Sequence, residues 1–329
     1  MSNFVTHAYL IYMYRVRKQL GLTDELMDSC GSTGVTVAVL DTGIGNHPDF
    51  DRRILAFRDF SSGKSLVCDK WPVYGHFPNY DDSGHGTHVS GCIAGSGFAS
   101  NGKHKGMAPN SYLLIGKVLD LKGDGNIEEM INGIEWVLEN KDRFNVRILN
   151  ISIGMSESAG RERMKRLLRV VETAWYEGLV VVCAAGNMGP KLKTLSPLGA
   201  IEKVITVGCN EGGYLGNRRY LCEHYSGRGP SPFGEKKPDI VAPGTDILSC
   251  NLNIEKYGSK FRNAYVSKSG TSMATPIVSG ALALLLQKFP YYNNEQVKDR
   301  LIRSAVDLKQ PFNKQGYGML NLSRLLTDG

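Results

Sequence analysis

Much is missing from this chain of 329 residues, and each absence narrows what it can be. It contains no low-complexity linker, no internal repeat and no Pro- or Ser-rich hinge, which argues against a string of modules. Long apolar runs are absent too, since Ala8 to Tyr14 is too short to span a bilayer. The chain does not open with a basic stretch, a long apolar core and a small-residue cleavage site, so a cytoplasmic protein without membrane attachment is expected. Charge of one sign is scarce: 39 Lys and Arg against 32 Asp and Glu leave +7. The basic cluster Arg161 to Arg169 shares its segment with Met164, Leu167, Leu168 and Val171, the pattern of a solvated amphipathic face, and nucleic acid is not an expected partner. Cysteines are seven, an odd number, at positions 30, 68, 92, 183, 209, 222 and 250. They read as mostly free thiols in a reducing compartment, with the short loop from Cys209 to Cys222 leaving one disulfide open.

What is present is core and turn material, 42% hydrophobic residues and 38 glycines. Candidate strands run from Val35 to Leu40, Tyr112 to Lys117, Arg147 to Ser152, Val180 to Ala184 and Val204 to Val207. Helical patterns lie between them, notably Ile127 to Asn140 and Arg161 to Glu177. That alternation predicts an α/β fold of three layers, α/β/α, with a mostly parallel central sheet. Ligands of such sheets gather at the carboxyl ends of strands, where Asp41, Ser152 and Asn187 fall.

Three segments carry chemistry. Asp41-Thr42-Gly43 closes the first strand. His85 lies between glycines in Asp82-Ser83-Gly84-His85-Gly86-Thr87-His88, ahead of a short apolar segment. Ser272 lies in Gly270-Thr271-Ser272-Met273-Ala274-Thr275-Pro276, between a glycine turn and a helix start whose unpaired N–H groups favour developing negative charge. Singly, each has a plainer role: a turn carboxylate, a loop-capping imidazole, a helix N-cap. Together, a histidine can take the serine proton while a carboxylate fixes its tautomer. His88, one turn after His85, reads as structural, and no third ligand accompanies the two histidines in a zinc spacing.

The order Asp41, His85, Ser272 is that of subtilisin. These blocks, with His47-Pro48-Asp49-Phe50, Lys117-Val118-Leu119, Asn150-Ile151-Ser152-Ile153-Gly154, Ala184-Ala185-Gly186-Asn187 and Pro238-Asp239-Ile240-Val241-Ala242-Pro243-Gly244, resemble the subtilase (subtilisin-like serine protease) family, most of all its intracellular bacterial members. The likeness covers about residues 20 to 327, so residues 1–19 are read as a short extension and 20–329 as a subtilisin-like peptidase domain.

The resemblance implies a serine endopeptidase acting on peptides or proteins through an acyl-enzyme on Ser272. His85 would be the base, Asp41 its orienting partner, and Asn187 a donor to the oxyanion hole. It also implies a groove in which Gly123, Asp124 and Gly125 on one side and Ser152, Ile153 and Gly154 on the other hold an extended peptide, with Ala184, Ala185 and Gly186 forming the S1 wall. The connection from Asn187 to Pro197 is shorter than in secreted members, which leaves the P1 preference open. No cofactor is required for the chemistry, and Asp49 matches a position that ligates structural calcium in many subtilases. The alternative is a catalytically silent member that keeps the fold for binding or regulation; it would lack a triad or oxyanion residue, and none is lacking. Tyr9, Tyr12 and Tyr14 with Arg15, Arg17 and Lys18 leave two readings of the extension, a self-inhibitory segment lying over the groove, or one that is disordered or packs on the back of the domain.

Overall fold

The computed structural model describes residues 11–32, 34–61, 67–68, 80–153, 160–216, 220–232 and 234–327. Its strands are β1 (Ile11–Tyr12), β2 (Thr36–Asp41), β3 (Ile54–Asp59), β4 (Val67–Cys68), β5 (Tyr112–Lys117), β6 (Val146–Ile151), β7 (Val180–Ala184), β8 (Ile205–Cys209), β9 (Ile240–Ala242), β10 (Ile247–Cys250), β11 (Glu255–Tyr257), β12 (Lys260–Arg262) and β13 (Tyr265–Lys268). Its helices are α1 (Met13–Gln19), α2 (Asp24–Asp28), α3 (His85–Ala94), α4 (Ile127–Asn140), α5 (Arg161–Tyr176), α6 (Cys222–Tyr225), α7 (Thr271–Lys288), α8 (Asn294–Ser304), α9 (Phe312–Gln315) and α10 (Leu322–Leu326).

Eight strands form one sheet in the order β4-β3-β5-β2-β6-β7-β8-β9, parallel throughout except for the β3–β4 edge pair. β2, β7 and β8 are buried at every residue, as apolar β-branched runs must be when both sheet faces are covered. α3 and α7 pack on each other over one face, and α4 and α5 pack together over the other, giving the three-layer α/β/α arrangement. α7 is apolar on all sides and buried along most of its length, the signature of a helix inside the core. No described helix is long and apolar enough to cross a membrane.

The five expected strands and both helices lie within about two residues of where their patterns put them. Three strands of this sheet escaped that reading: β4, which is only two residues long, β3 and β9. β3 alternates buried and part-exposed residues around Arg58, which breaks the continuous apolar run, and the three residues of β9 sit inside a segment read as a motif. A second sheet, β1-β10-β13, lies beside the first, with β1 parallel to β10 and β13 antiparallel to it. Next to it, α1 sends Met13 and Val16 into the main core, and the Arg17 guanidinium donates to the carbonyl of Lys105 at 3.1 Å. Tyr9 lies outside the described residues.

Candidate active site

The sheet order brings β5, β2, β6 and β7 side by side and parallel, so the segments leaving their carboxyl ends form a row. Those segments are, in order, the loop holding Gly123–Gly125, the turn after Asp41, Ser152–Ile153, and Ala184–Asn187.

Asp41 ends β2 and is fully buried. Its Oδ1 accepts the Thr42 N–H at 2.8 Å and lies 2.7 Å from His85 Nδ1, while its Oδ2 is buried with no hydrogen-bond partner among the described residues. His85 is the first residue of α3, and its side chain is 24% exposed, so the imidazole edge away from Asp41 is open to a substrate. Burial by itself lowers the His85 pKa, but the charge and hydrogen bond of Asp41 outweigh it and hold the imidazole above its ordinary value. Lys268, four residues before Ser272, lies close enough to oppose that rise. Gly86 is required where it stands: a Cβ there would lie 2.2 Å from the Gly43 carbonyl oxygen and 3.2 Å from Asp41 Cβ.

A lock that sequence reading did not find joins these two turns. The helix cap position, Gly84, has no side chain, and Asp81 replaces it by accepting the N–H groups of Gly84 and Thr87, both at 2.8 Å, and the Thr87 hydroxyl at 2.6 Å. The Thr42 hydroxyl donates to Asp81 at 2.8 Å and accepts the Gly86 N–H at 2.9 Å. Burial alone would raise the Asp81 carboxyl, yet the donors from Thr87, Gly84 and Thr42 prevail and hold it below the usual carboxylate range. The signal for a cap was present in Asp81-Asp82-Ser83-Gly84 ahead of an apolar run, but Thr42 belongs to another element.

Ser272 is the second residue of α7, half-buried, in a first turn whose N–H groups have no helical acceptor. Pro276 has no N–H to offer the Ser272 carbonyl four residues back, and other groups secure this turn. The Thr275 hydroxyl bonds the Thr271 carbonyl at 2.8 Å, and Asn187 Oδ1 accepts both the N–H and the hydroxyl of Thr271 at 3.1 Å. A Cβ built on Gly270, whose φ is +146°, would lie 3.5 Å from Asn187 Nδ2 and 3.8 Å from both Asn187 Oδ1 and Ser272 N, so the Asn187 amide and the Ser272 N–H border one small space.

The expected groove segments sit on either side. Gly123, Asp124 and Gly125 are exposed in a loop closed by the Asp120 side chain, which accepts the N–H of Asp124 at 3.0 Å. Opposite them, Ser152 and Ile153 are buried, and Ser152 is tied through Asn150 to Ser279 of α7. Ala184 and Ala185 are pinned through their carbonyls by the Ser196 hydroxyl and N–H, at 2.6 and 2.8 Å, and Gly186 accepts the Gly227 N–H at 2.7 Å. Gly154 lies outside the described residues.

Other singled-out groups have structural surroundings. His88 Nε2 donates toward the carbonyls of Ile247 and Val266 at 2.9 and 3.1 Å, and burial pushes its pKa down to about 3. Burial raises the Cys92 thiol to about 12, which makes it unreactive. Cys209 and Cys222 are both free, and the Cys209 thiol donates to Glu211 Oε1 at 3.4 Å instead of forming the disulfide that the loop length left open.

Asp49 does not fit the calcium expectation. Its Oδ2 accepts the Gly97 N–H at 2.9 Å, its Oδ1 accepts the Ala99 N–H at 3.0 Å, and the Tyr265 hydroxyl donates to both oxygens. The other donors near it are His47 and Cys250. Calcium takes six to eight oxygen ligands, whereas here both carboxylate oxygens already face protein hydrogens and the remaining donors are nitrogen and sulfur. A softer ion meets the same obstacle, because the His47 Nδ1 lone pair faces the Asp49 N–H at 3.1 Å.

The chain belongs to the subtilase family, whose model matches residues 32–318. It is 39% identical to the serine protease AprX of Bacillus subtilis (strain 168) over 295 residues, 87% of this chain and 64% of that protein's length. It is 38% identical to a subtilisin of Bacillus pumilus over 304 residues, covering 90% of this chain and 93% of the relative. Among solved structures it is similar to sphericase, with a TM-score of 0.70 at 27% identity, covering 88% of this chain and 92% of the other. A psychrophilic protease, S41, is similar at a TM-score of 0.71 and the same identity. By class the chain is a subtilisin-like serine peptidase, a hydrolase.

Proposed function

We propose that this chain cleaves peptide bonds within proteins through an acyl-enzyme on Ser272. The observation that carries the reading is the 2.7 Å contact between His85 Nδ1 and the buried Asp41 carboxylate. Because Nδ1 faces Asp41, Nε2 is the nitrogen left to take the Ser272 hydroxyl proton and later return it to the leaving amine. Asp41 holds the tautomer and stabilises the imidazolium. The Ser272 N–H and Asn187 Nδ2 receive the oxyanion, a role supported by the space they share beside Gly270. Gly123–Gly125 and Ser152–Ile153 form the two peptide-binding edges, and Ala184–Gly186 the S1 wall. Main-chain pairing along such edges asks little of sequence, so specificity is broad. The reading includes a cytoplasmic location, in keeping with six free, buried cysteines among the described residues.

The test is labelling of the purified chain by a fluorophosphonate, with Ser272→Ala as control, followed by casein hydrolysis. Labelling and hydrolysis that both vanish in the variant are the expected result. An unlabelled wild type that binds casein without cutting it would leave a catalytically silent binding protein in its place.

A further inference from the structure

The sequence Lys117-Val118-Leu119 belongs to no part of the proposed chemistry, yet its lysine has unusual surroundings. Lys117 ends β5 directly opposite Asp41 in the β2–β5 register, and it is 1% exposed. A buried ammonium is costly unless every proton finds an acceptor. Lys117 Nζ meets that demand with three partners from three segments of the site. It donates to the Thr42 carbonyl at 3.0 Å, to Asp82 Oδ1 at 2.9 Å and to the Leu119 carbonyl at 2.6 Å. Thr42 follows Asp41, Asp82 lies in the turn that leads to His85, and Leu119 opens the loop that carries Gly123–Gly125.

The backbone around it reinforces the junction. The Asp41 carbonyl accepts the N–H groups of Val118 and Leu119, at 2.9 and 3.3 Å. Where the loop returns, Gly125 approaches so closely that a Cβ would lie 2.4 Å from the Val118 carbonyl oxygen. The distance from the peptide-binding edge to the Asp41–His85 pair is therefore set at residues 117–119, and the ammonium is the group there that bonds all three segments. We propose that Lys117 is a positioning residue that fixes the substrate-binding edge relative to the Asp41–His85 pair. This rests on the reading of Gly123–Gly125 as that edge.

A positioning role differs from a purely structural one in which substrates suffer. In Lys117→Met, kcat/KM for a tetrapeptide p-nitroanilide, which spans the edge, should fall roughly 100-fold, the cost of a misplacement of about 1 Å. For p-nitrophenyl acetate, which reaches only the reacting centre, the loss should stay below about 10-fold on the same grounds. The matched control is Lys237→Met, which removes a second buried ammonium, bonded to Asp239 and the Val204 carbonyl, away from the groove. It should affect both substrates alike. Equal losses on the two substrates in Lys117→Met, or no loss on the peptide, would overturn the proposal. If that variant does not fold, Asp82→Ala removes only the partner that is 41% exposed, and the same peptide-selective loss, smaller in size, decides the matter. Binding of unfolded casein to Ser272→Ala with and without Lys117→Met needs no turnover. An unlabelled wild type would therefore sink the catalytic reading alone, while equal casein binding by the two proteins would sink this one.

Discussion

Asn187 Oδ1 accepts both the N–H and the hydroxyl of Thr271, which keeps the side-chain amide from rotating freely. Asn187→Ala should lower kcat by about 10²- to 10³-fold with little change in KM, because the lost bond forms only as charge develops. Steady-state kinetics on a peptide substrate would check it, and a rise in KM with kcat preserved would contradict the oxyanion role. His85 makes a second prediction. It must be neutral to accept a proton, and Asp41 holds its pKa above the ordinary value, so kcat/KM should rise with pH to a midpoint above about 6.5. Asp41→Asn leaves burial and Lys268, both of which favour the neutral ring, and should move the midpoint of the residual activity downward. The same shift has the opposite sign for stability. The Asp41–His85 pair stabilises the fold fully below the unfolded histidine pKa, and that contribution is lost as pH rises through the folded one.

Among the elements, α3 and α7 each bring a candidate site residue in the first turn, and α3 relies on a glycine where no side chain fits. Gly86→Ala would drive a methyl into the Gly43 carbonyl, at 2.2 Å, and against Asp41. The expected cost is about 1–3 kcal/mol in thermal unfolding, the usual penalty for overpacking, with a larger loss of activity because the Asp41–His85 contact moves. Unchanged activity would show that the two turns shift together. Elements whose cues are local could be read from the sequence: α4 begins after Asn126 and carries Glu129 three residues later, which the structure joins in a capping box. The Asp41, His85 and Ser272 segments were legible for the same reason, each having glycine or strand signals within a few residues. What escaped depends on partners remote in the chain. Nothing near Asp81 announces Thr42, 39 residues earlier, and nothing in His47-Pro48-Asp49-Phe50 announces that Gly97, Ala99 and Tyr265 fill the Asp49 carboxylate.

For the molecule as a whole, the Asp49 carboxylate is held by hydrogen bonds from the turn at residues 97–99 and from Tyr265. A cation bound to the native state alone would stabilise it by mass action, so chelator should leave the melting temperature unchanged if the Asp49 locus holds none. A clear drop in calorimetry, reversed by added calcium, would refute this. The sheet order has a further consequence, for the time course of folding. Asp41 and Ser272 are separated by most of the chain, and the row of strand ends between them exists only after β5, β2, β6 and β7 have paired across long intervals of sequence. Closing such intervals is slow relative to forming helices. In refolding from denaturant, helical circular dichroism should therefore recover before fluorophosphonate labelling does. A partly folded copy would be a substrate for its finished neighbours well before it could cut anything itself, so the yield of active protein should fall as its concentration during refolding rises.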